Sequence, residues 1–436
     1  MTRLAGSSKL LRAMNESATL ALLLDRGTLT RAELRELTGL SKPTTSDVLR
    51  RLTDTGLAVV VGHTSGGPGP NAEVYSVNPV AAYVVALALR DTTESPHPPF
   101  GAALCDISGA VLARAEFPGV PGEGPTDTVR RILADLCAAA DVPVSRVTRL
   151  QLGVPGSYDP GTDTIRHIDI PGWRHPGLVG ELAAALRLAV DADNDVNLAA
   201  IAERHRGVAQ GSAAFALLWF GAGLGCAIDL GAALLRGVTG GAGEIGYLPL
   251  GGPDHPVGTP RDMQDLVGGA AVAALAASYG FIADTPEAAI AAAVAQAGPA
   301  DAEAARTKVI EVAGQSGESE AVIPPIARQL ERSTASEAAA DAFLCALADR
   351  IAVPLAAVSA LVDPPLVVLA GEVAQAGGAA LRDRVTAAFH RATPLRTPVA
   401  VTALSDDAVL LGAMDAGVRA VRESLIDALR YTLTPA

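Results

Sequence analysis

Residues 30–56 read TRAELRELTGLSKPTTSDVLRRLTDTG, and this stretch decides the fold of the N-terminal part of the chain. Thr30 followed by Glu33 has the spacing of a capping box, which predicts a helix that begins here and stops at Gly39. Ser41 is a good N-cap for a second helix that ends at the last glycine of the stretch. Two short helices joined by a tight glycine turn are typical of a helix-turn-helix.

The flanking segments extend this motif. Leucines at helical spacing predict a preceding helix over residues 15–25. The β-branched run 57–61 and the alternating run 73–77 predict two strands, and residues 63–71, HTSGGPGPN, form the loop between them. Two strands around a Gly/Pro loop make a wing, so residues 9–78 are predicted to form a winged helix-turn-helix.

The helix that begins after Ser41 has an apolar face and an outward face rich in hydroxyl and basic side chains. Hydroxyls at the start of such a helix can reach base edges in the major groove, while basic groups reach phosphates. Two alternatives stay open: winged helices also bind proteins, and the arginines can pair with nearby carboxylates. The loop glycines are equally explained as turn residues. The predicted DNA contacts are Ser41, Lys42, Thr44, Thr45, Ser46, Arg50 and Arg51 on the helix and Gly66, Gly67 and Asn71 in the loop.

Net charge divides the chain into two parts. The 436 residues carry 34 Lys and Arg and 47 Asp and Glu, and the total of −13 alone argues against nucleic acid as a partner. Residues 1–80, however, hold nine basic and seven acidic residues, a charge of +2, which leaves −15 for the remainder. A mildly basic module in front of an acidic one suggests two partners of different kinds.

The four cysteines lie far apart, without a CxxC pair or a nearby histidine at ligand spacing, so neither a zinc site nor a redox pair is predicted. The N-terminus lacks the order of segments of a signal peptide, and no run reaches the ~18 apolar residues of a membrane span. We therefore expect a soluble, cytoplasmic protein that does not interact with membranes.

Beyond residue 80 the pattern predicts an α/β fold with two similar halves. The first half has strands at 83–89, 101–105, 111–117 and 150–154 and a helix at 126–140. The second has strands at 214–219, 225–229, 232–238, 366–369 and 399–402, with long helices between the third and the fourth. Three antiparallel strands, a helix and a further strand are the repeating unit of the actin-like ATPase fold.

Two polar clusters could contact a ligand. Residues 191–200, DADNDVNLAA, place Asn194 and Asp195 between a strand and a helix, where a carboxylate can hydrogen-bond a sugar hydroxyl or accept its proton. Ordinary N-capping explains these residues equally well. The second cluster is a glycine-rich run, residues 236–252, in which Glu244 is the single carboxylate.

Together these motifs resemble the ROK family (repressors, open reading frames, sugar kinases). The resemblance rests on the winged helix and, in the same order along the chain, on GVPGSYDPGTD (153–163), IDIPGW (168–173), DNDVN (193–197), FGAGLG (220–225), RGVTGGAGEIGYLPLGG (236–252) and VVLAGEVA (367–374). It implies that Asn194 and Asp195 contact sugar hydroxyls, that Asp169 replaces the family's sugar-binding Asn, and that Glu244 holds the sugar ring. In the kinases of the family, the residue at Asp195 is the catalytic base.

Departures from the kinase pattern indicate the regulator branch. The kinases carry a DxGGT phosphate loop, whereas residues 87–106 have no glycine before Gly101 and contain prolines instead. The family's His after GEIG is Tyr247, which can still donate a hydrogen bond to a changed ligand. The loop that follows lacks the family's zinc-binding cysteines, so no structural zinc and no cofactor are expected. The family's Glu that ends this loop corresponds to Gln264 or Asp265.

The sequence thus predicts a winged helix-turn-helix domain at 1–80 and a two-lobed, actin-like (ribonuclease H-like) sensor at 81–436, with a lobe boundary near 200 and a C-terminal helix that returns to the first lobe. The predicted function is a DNA-binding transcriptional regulator without enzyme activity, a repressor of carbohydrate uptake or catabolism. Its expected partners are a palindromic double-stranded operator, a sugar or sugar derivative, and a second copy of the chain in a homodimer or dimer of dimers. The alternatives are a sugar kinase with a DNA-binding arm and a regulator that has lost its response to sugar.

Overall fold

The computed structural model describes residues 7–64, 72–90, 98–166, 170, 172–231, 233–251, 259–297, 325–404 and 407–431. The chain divides into two units. One contains the residues up to Leu198 and those from Val409 onward, and the other spans Ala199–Ala408. The predicted domain division at residue 80 stays a prediction.

The first unit begins with the winged helix-turn-helix. Its sheet has the strand order β1-β3-β2, with antiparallel pairing. Its elements are α1 (Ser7–Arg26), β1 (Thr28–Thr30), α2 (Arg31–Thr38), α3 (Lys42–Asp54), β2 (Ala58–His63) and β3 (Glu73–Val77).

Local sequence signals set the ends of these helices. Thr30 and Glu33 form the predicted capping box, in which each side chain bonds the other's backbone N–H. Gly27, Gly39 and Gly56 follow the three helices with φ values of 81°, 68° and 72°, a region that favours glycine. The predicted stops are therefore confirmed.

The first lobe of the same unit is a five-stranded sheet with helices against it. The strand order is β10-β7-β4-β5-β6: β4, β7 and β10 are parallel, and β5 and β6 are antiparallel to their neighbours. Apolar side chains of α4 are buried in the same core as those of the sheet. The elements are β4 (Tyr83–Leu89), β5 (Phe100–Asp106), β6 (Val111–Phe117), α4 (Pro125–Ala139), β7 (Val147–Val154), β8 (Tyr158–Asp159), β9 (Thr164–Ile165), α5 (Leu178–Leu186), β10 (Ala189–Asn194) and α6 (Asp195–Arg206), the last of which continues into the second unit.

The second unit contains a four-stranded sheet of order β12-β11-β13-β14, in which only the β11–β12 pair is antiparallel. Its core joins this sheet to the long helices through residues such as Phe343 and Phe389. The elements are β11 (Phe215–Phe220), β12 (Leu224–Asp229), α7 (Met263–Val267), α8 (Gly269–Ser278), α9 (Pro286–Gln296), α10 (Pro325–Val362), β13 (Val367–Ala370), α11 (Glu372–Ala392) and β14 (Val399–Val401).

The final helix, α12 (Ala408–Tyr431), packs in the first unit. A Cβ built on Gly412 would lie 1.7 Å from the Leu198 carbonyl oxygen, and one on Gly417 would lie 2.6 Å from Val84 Cγ1. Only glycine permits this approach of α12 to α6 and β4.

Three element predictions need correction. A strand was predicted at 232–238, of which residues 233–238 are described. These residues form no strand and make a single β-bridge, between Leu234 and Asp229. Gly231 turns the chain with a φ of 93°, and Gly237 has a φ of 74°, so the segment does not extend into a ladder. The first helix starts at Ser7 rather than at residue 15. The short strand β1 was not predicted.

In the described part of the chain, one helical segment, Ser336–Val362 within α10, is long and apolar enough to cross a membrane by length and composition. Phe343, Leu344 and Leu347 of this segment are buried in the core of the second unit. Core packing therefore accounts for its composition.

Replacing Gly412 with alanine is expected to lower the free energy of unfolding by roughly 1–3 kcal/mol, because the added methyl group collides with the Leu198 backbone. Urea unfolding followed by circular dichroism measures this. Gly119→Ala is the matched control, since its Cβ would meet only Pro99 at 3.6 Å. Equal stability of the two variants would show that α12 does not need the close approach.

Candidate nucleic-acid interface and effector-binding residues

The start of α3 carries the hydroxyl groups predicted to contact DNA. The Ser41 side chain accepts a hydrogen bond from the Thr44 backbone N–H at 3.4 Å, and the two hydroxyl oxygens lie 2.8 Å apart. Ser41 and Lys42 are exposed, and Thr44 and Ser46 are partly exposed. The cap therefore leaves a set of polar groups accessible at the first turn of the helix.

Thr45 has a different environment from the other predicted contacts. It is 1% exposed, and its hydroxyl donates to the Ser41 carbonyl at 3.1 Å. Val48, Leu49 and Leu52 are buried on the same face of α3. Thr45, predicted as a DNA contact, is therefore part of the packing of the module.

The two arginines of α3 are held by carboxylates of the same helix. Asp47 accepts from Arg50 at 2.7 Å and from Arg51 at 3.0 Å, and Asp54 accepts from Arg50 at 2.9 Å. The hydrogen bond from Arg50, followed by the one from Arg51, lowers the pKa of the Asp47 carboxyl. The same bond to Asp47 raises the pKa of the Arg50 guanidinium. The alternative of intrahelical pairing is thus realised, although the side chain of Arg50 remains 59% exposed.

Hydrogen bonds that the sequence did not predict join the wing to α2. The Arg31 guanidinium donates to the Glu73 carboxylate at 2.8 Å and to the Tyr75 hydroxyl at 2.6 Å. No local pattern signals this contact, because its partners lie more than forty residues apart. Gly66, Gly67 and Asn71, the predicted contacts in the wing loop, lie outside the described residues.

Asn194 and Asp195 lie in the first unit, at the junction of β10 and α6. The Asn194 side chain donates to the Gly156 carbonyl at 3.0 Å and to Asp195 at 2.9 Å, and it accepts from the Asn197 backbone N–H at 3.0 Å. Asp195 Oδ1 also accepts from the Val196 N–H at 2.8 Å. These bonds cap α6 and attach its start to the loop after β7, so capping is one role of this pair. Asp169, the third residue predicted here, lies outside the described residues.

Glu244 and Tyr247 lie in the second unit, around a single 3₁₀ turn at Ile245–Tyr247. Gly243 precedes this turn with a φ of 93°, and a Cβ there would lie 2.0 Å from the Cys226 carbonyl oxygen. Tyr247 is 58% exposed. Partial burial raises the pKa of its hydroxyl, and the nearby carboxylates of Glu244 and Asp262 raise that pKa further. The phenol thus stays protonated at neutral pH and can donate a hydrogen bond to a ligand.

Gln264 holds the glycine turn between β11 and β12. Its Oε1 accepts from the Leu224 N–H at 2.8 Å, and its Nε2 donates to the Ala222 carbonyl at 3.3 Å. Only an amide can make both bonds, since a carboxylate has no hydrogen to donate. Gln264 is therefore a positioning residue for this turn.

Among the described residues, no group of three or more His, Cys, Asp or Glu side chains is arranged to hold a metal ion. Most of the loop where the ROK kinases carry zinc, residues 252–258, lies outside the described part. The absence of structural zinc stays a prediction.

Family models match both parts of the chain. The ROK family model matches residues 99–417, and the MarR family model matches residues 11–67. The chain belongs to the ROK family. The predicted resemblance and fold class, a winged helix-turn-helix followed by an actin-like α/β domain, are thereby confirmed.

Individual ROK relatives include both enzymes and repressors. A glucokinase of Halalkalibacterium halodurans is 34% identical over 128 residues, which cover 29% of this chain and 39% of that protein. A protein of Caldicellulosiruptor sp. named as a putative xylose repressor is 24% identical over 250 residues, 56% of this chain and 61% of the relative. The chain thus spans less than two thirds of the length of these relatives.

A solved structure extends the likeness to nearly the whole chain. It is the ROK family transcriptional regulator described as a homolog of the E. coli MLC protein, with a TM-score of 0.64 and 17% identity. The alignment covers 97% of this chain and 99% of that one. This likeness shows that the fold is shared from the winged module to the C-terminal helix.

Replacing Gln264 with glutamate is expected to lower the free energy of unfolding by roughly 1–3 kcal/mol, because the Ala222 carbonyl loses its donor and faces a carboxylate instead. Thermal unfolding measured at several pH values checks this, with Gln210→Glu on the surface of the same unit as the control. Destabilisation that disappears at acidic pH, where the new carboxyl becomes a donor, would identify the lost bond. A stable variant at neutral pH would contradict this role of Gln264.

Proposed function

We propose that this chain is a DNA-binding transcriptional regulator, a repressor of carbohydrate uptake or catabolism that responds to a sugar or sugar derivative. The observation that carries the proposal is the pairing of a MarR-type winged helix with a ROK segment in one chain. The relative named as a putative xylose repressor and the likeness to a ROK transcriptional regulator support it.

In this proposal α3 enters the major groove. Ser41, Lys42, Thr44 and Ser46 present donors at its N-terminal turn, the part of a recognition helix that meets base edges. Arg50 and Arg51, further along the helix, contact phosphates. The acidity of the remaining chain repels the duplex and restricts contact to the winged module.

The proposed regulator works in the cytoplasm as a homodimer or a dimer of dimers. One winged helix buries too little surface for operator affinity, and a palindromic operator matches a two-fold symmetric protein. An effector that binds two states of the protein with affinities differing by ~1–3 kcal/mol changes operator affinity 5- to 150-fold. Asp169, Asn194, Asp195, Glu244 and Tyr247 are the proposed effector contacts.

A second candidate, a sugar kinase, is favoured by the partial match to a glucokinase and by the carboxylate of Asp195 at the position of the kinases' base. We infer that the chain is not an enzyme, because the first hairpin lacks the glycines of the DxGGT phosphate loop. Without those backbone amides, the phosphates of ATP lose their cradle.

Titration of the full chain into operator DNA selected from a random duplex pool tests the regulator proposal. Lys42→Gln and Arg50→Gln are each expected to weaken binding and to reduce the salt slope of the affinity by about one. Arg396→Gln in the second unit is the charge-matched control. If selection yields no duplex that binds, or if binding is independent of salt, the proposal fails.

Asp47→Asn is expected to bind operator DNA severalfold more tightly than the native chain, because it removes a negative charge from the helix surface and takes one carboxylate partner from each of Arg50 and Arg51. Asp54→Asn, which takes away one of the two carboxylate partners of Arg50 and leaves Arg51 paired, should give a smaller gain. Fluorescence anisotropy at two salt concentrations measures both. Weaker binding by Asp47→Asn would show instead that this carboxylate aims the arginines at the duplex.

A coupled assay of ADP release separates the two candidate functions. We expect no sugar-dependent turnover of ATP above that of Asp195→Asn, across a panel of hexoses and pentoses. Turnover that Asp195→Asn abolishes would establish the kinase.

A further inference from the structure

A carboxylate lies within the apolar face of α1. Ala13, Leu20 and Leu23 are almost fully buried, and Glu16 falls between them at the same helical spacing. The side chain of Glu16 is 15% exposed, and its Oε1 atom is buried without a hydrogen-bond partner among the described residues. A charge taken out of water in this way costs stability that an apolar side chain would not cost. Packing alone therefore does not account for Glu16.

The ion-pair partner of Glu16 is an arginine of α3. The two helices pack against each other, and Glu16 Oε1 lies 3.8 Å from Arg51 Nε, a separation that suits an ion pair without a hydrogen bond. The same nitrogen donates to Asp47 Oδ2 at 3.0 Å. Two carboxylates, one from each helix, therefore fix the guanidinium group of Arg51 at its Nε atom.

The two arginines of α3 differ in the atoms that remain available to a ligand. In Arg50, Nη1 donates to Asp54 at 2.9 Å and Nη2 donates to Asp47 at 2.7 Å. Neither Nη atom of Arg51 donates to a described residue, and its side chain is 36% exposed. The Nη1–Nη2 edge of a guanidinium presents two parallel N–H groups that match two oxygens of a phosphate. Arg51 keeps this edge available, whereas Arg50 uses it within its own helix.

We propose that Arg51 binds one phosphate of the operator through both Nη groups and that Glu16 is the positioning residue that holds it for this contact. The inference deepens the proposed function and rests on it for the DNA. An arginine that is oriented before DNA arrives loses less side-chain entropy on binding. Asp47 is 46% exposed and repels an approaching phosphate directly, whereas Glu16 acts on the arginine from between the helices.

Fluorescence anisotropy of the full chain with its selected operator duplex compares variants of the two arginines. Arg51→Gln is expected to lower affinity about tenfold, and Arg50→Gln less, because Arg51 alone of the two presents a free Nη edge. Arg51→Lys keeps the charge without the planar fork, so it should lower affinity severalfold and leave the salt slope unchanged. A loss in Arg51→Gln no larger than that in Arg50→Gln, or native affinity in Arg51→Lys, would overturn the phosphate contact.

Glu16→Gln tests the positioning role with a side chain of the same size. It is expected to lower operator affinity severalfold, although it removes a negative charge, because Arg51 loses the attraction that orients it. Glu36→Gln, which removes the same charge from an exposed position on α2, is the matched control and should bind at least as tightly as the native chain. Equal or tighter binding by Glu16→Gln would overturn the positioning role.

Thermal unfolding of Glu16→Gln shows whether weaker binding has a structural cause. We expect an unfolding temperature at or above that of the native chain, because the substitution removes a charge that is poorly solvated. A clear fall in the unfolding temperature would make Glu16 a structural residue and overturn its positioning role.

The pH dependence of binding is a readout that a merely structural role would not change. Burial raises the pKa of the Glu16 carboxyl, and the charged groups that act on it in the described module are Arg51 and Asp47 of α3 and Arg12 of α1. Above this pKa the carboxylate attracts Arg51, and below it the protonated group does not. The advantage of the native chain over Glu16→Gln should therefore disappear as the pH falls through the raised pKa. A ratio of the two affinities that stays constant with pH would contradict this.

Binding by the native chain separates this inference from the proposed function. A chain that binds no duplex from the random pool refutes the regulator, and the phosphate contact with it. A chain that binds its duplex with an affinity that neither Arg51→Gln nor Glu16→Gln changes refutes this inference alone.

Discussion

The close approach of α12 to the other elements of the first unit is the constraint on which much of that unit depends. The helix backbone lies against the Leu198 carbonyl at Gly412, a contact that a single methyl group would prevent. Further along, Arg422 donates to the carbonyls of Ile107 and Ser108 at 2.9 and 2.8 Å. Near its end, the Ile426 carbonyl accepts from the Ser17 hydroxyl of α1. The last helix of the chain therefore contacts α6, the β5–β6 turn and the first helix of the winged module.

This packing also determines the surroundings of the predicted effector residues. Leu198 belongs to the first turns of α6, and its side chain fills the space above Gly153 at the end of β7, where a Cβ would lie 2.7 Å from Leu198 Cδ1. Asn194 attaches the same helix start to Gly156. Glycine at 153 and at 412 thus lets strand β7, helix α6 and helix α12 meet at the position where the polar cluster is placed. The cluster is held by backbone contacts as well as by its own hydrogen bonds.

The sequence predicted best the features that depend on neighbouring residues. The capping box at Thr30, the glycine stops and the bounds of β3, β4 and β6 are local signals, and the structure reproduces them. The sequence did not predict β1, because a three-residue strand has too little pattern and exists only through its pairing with β3. Thr45 was predicted to contact DNA because it carries a hydroxyl group, whereas the packing of α3 against the module buries this residue. The pairing of Glu16 with Arg51 escaped prediction because it depends on how α1 packs against α3.

The arginines of the proposed nucleic-acid interface are paired before DNA arrives. On α3, Asp47 holds Arg50 and Arg51. A phosphate that binds such an arginine must replace or share an internal carboxylate, so the net gain is smaller than the full strength of a charge-assisted hydrogen bond. Arginine that is already paired is also oriented before the ligand arrives, which reduces the entropy lost on binding. The two effects on affinity oppose each other, and because the contacts are ionic, binding at the proposed interface weakens as salt rises.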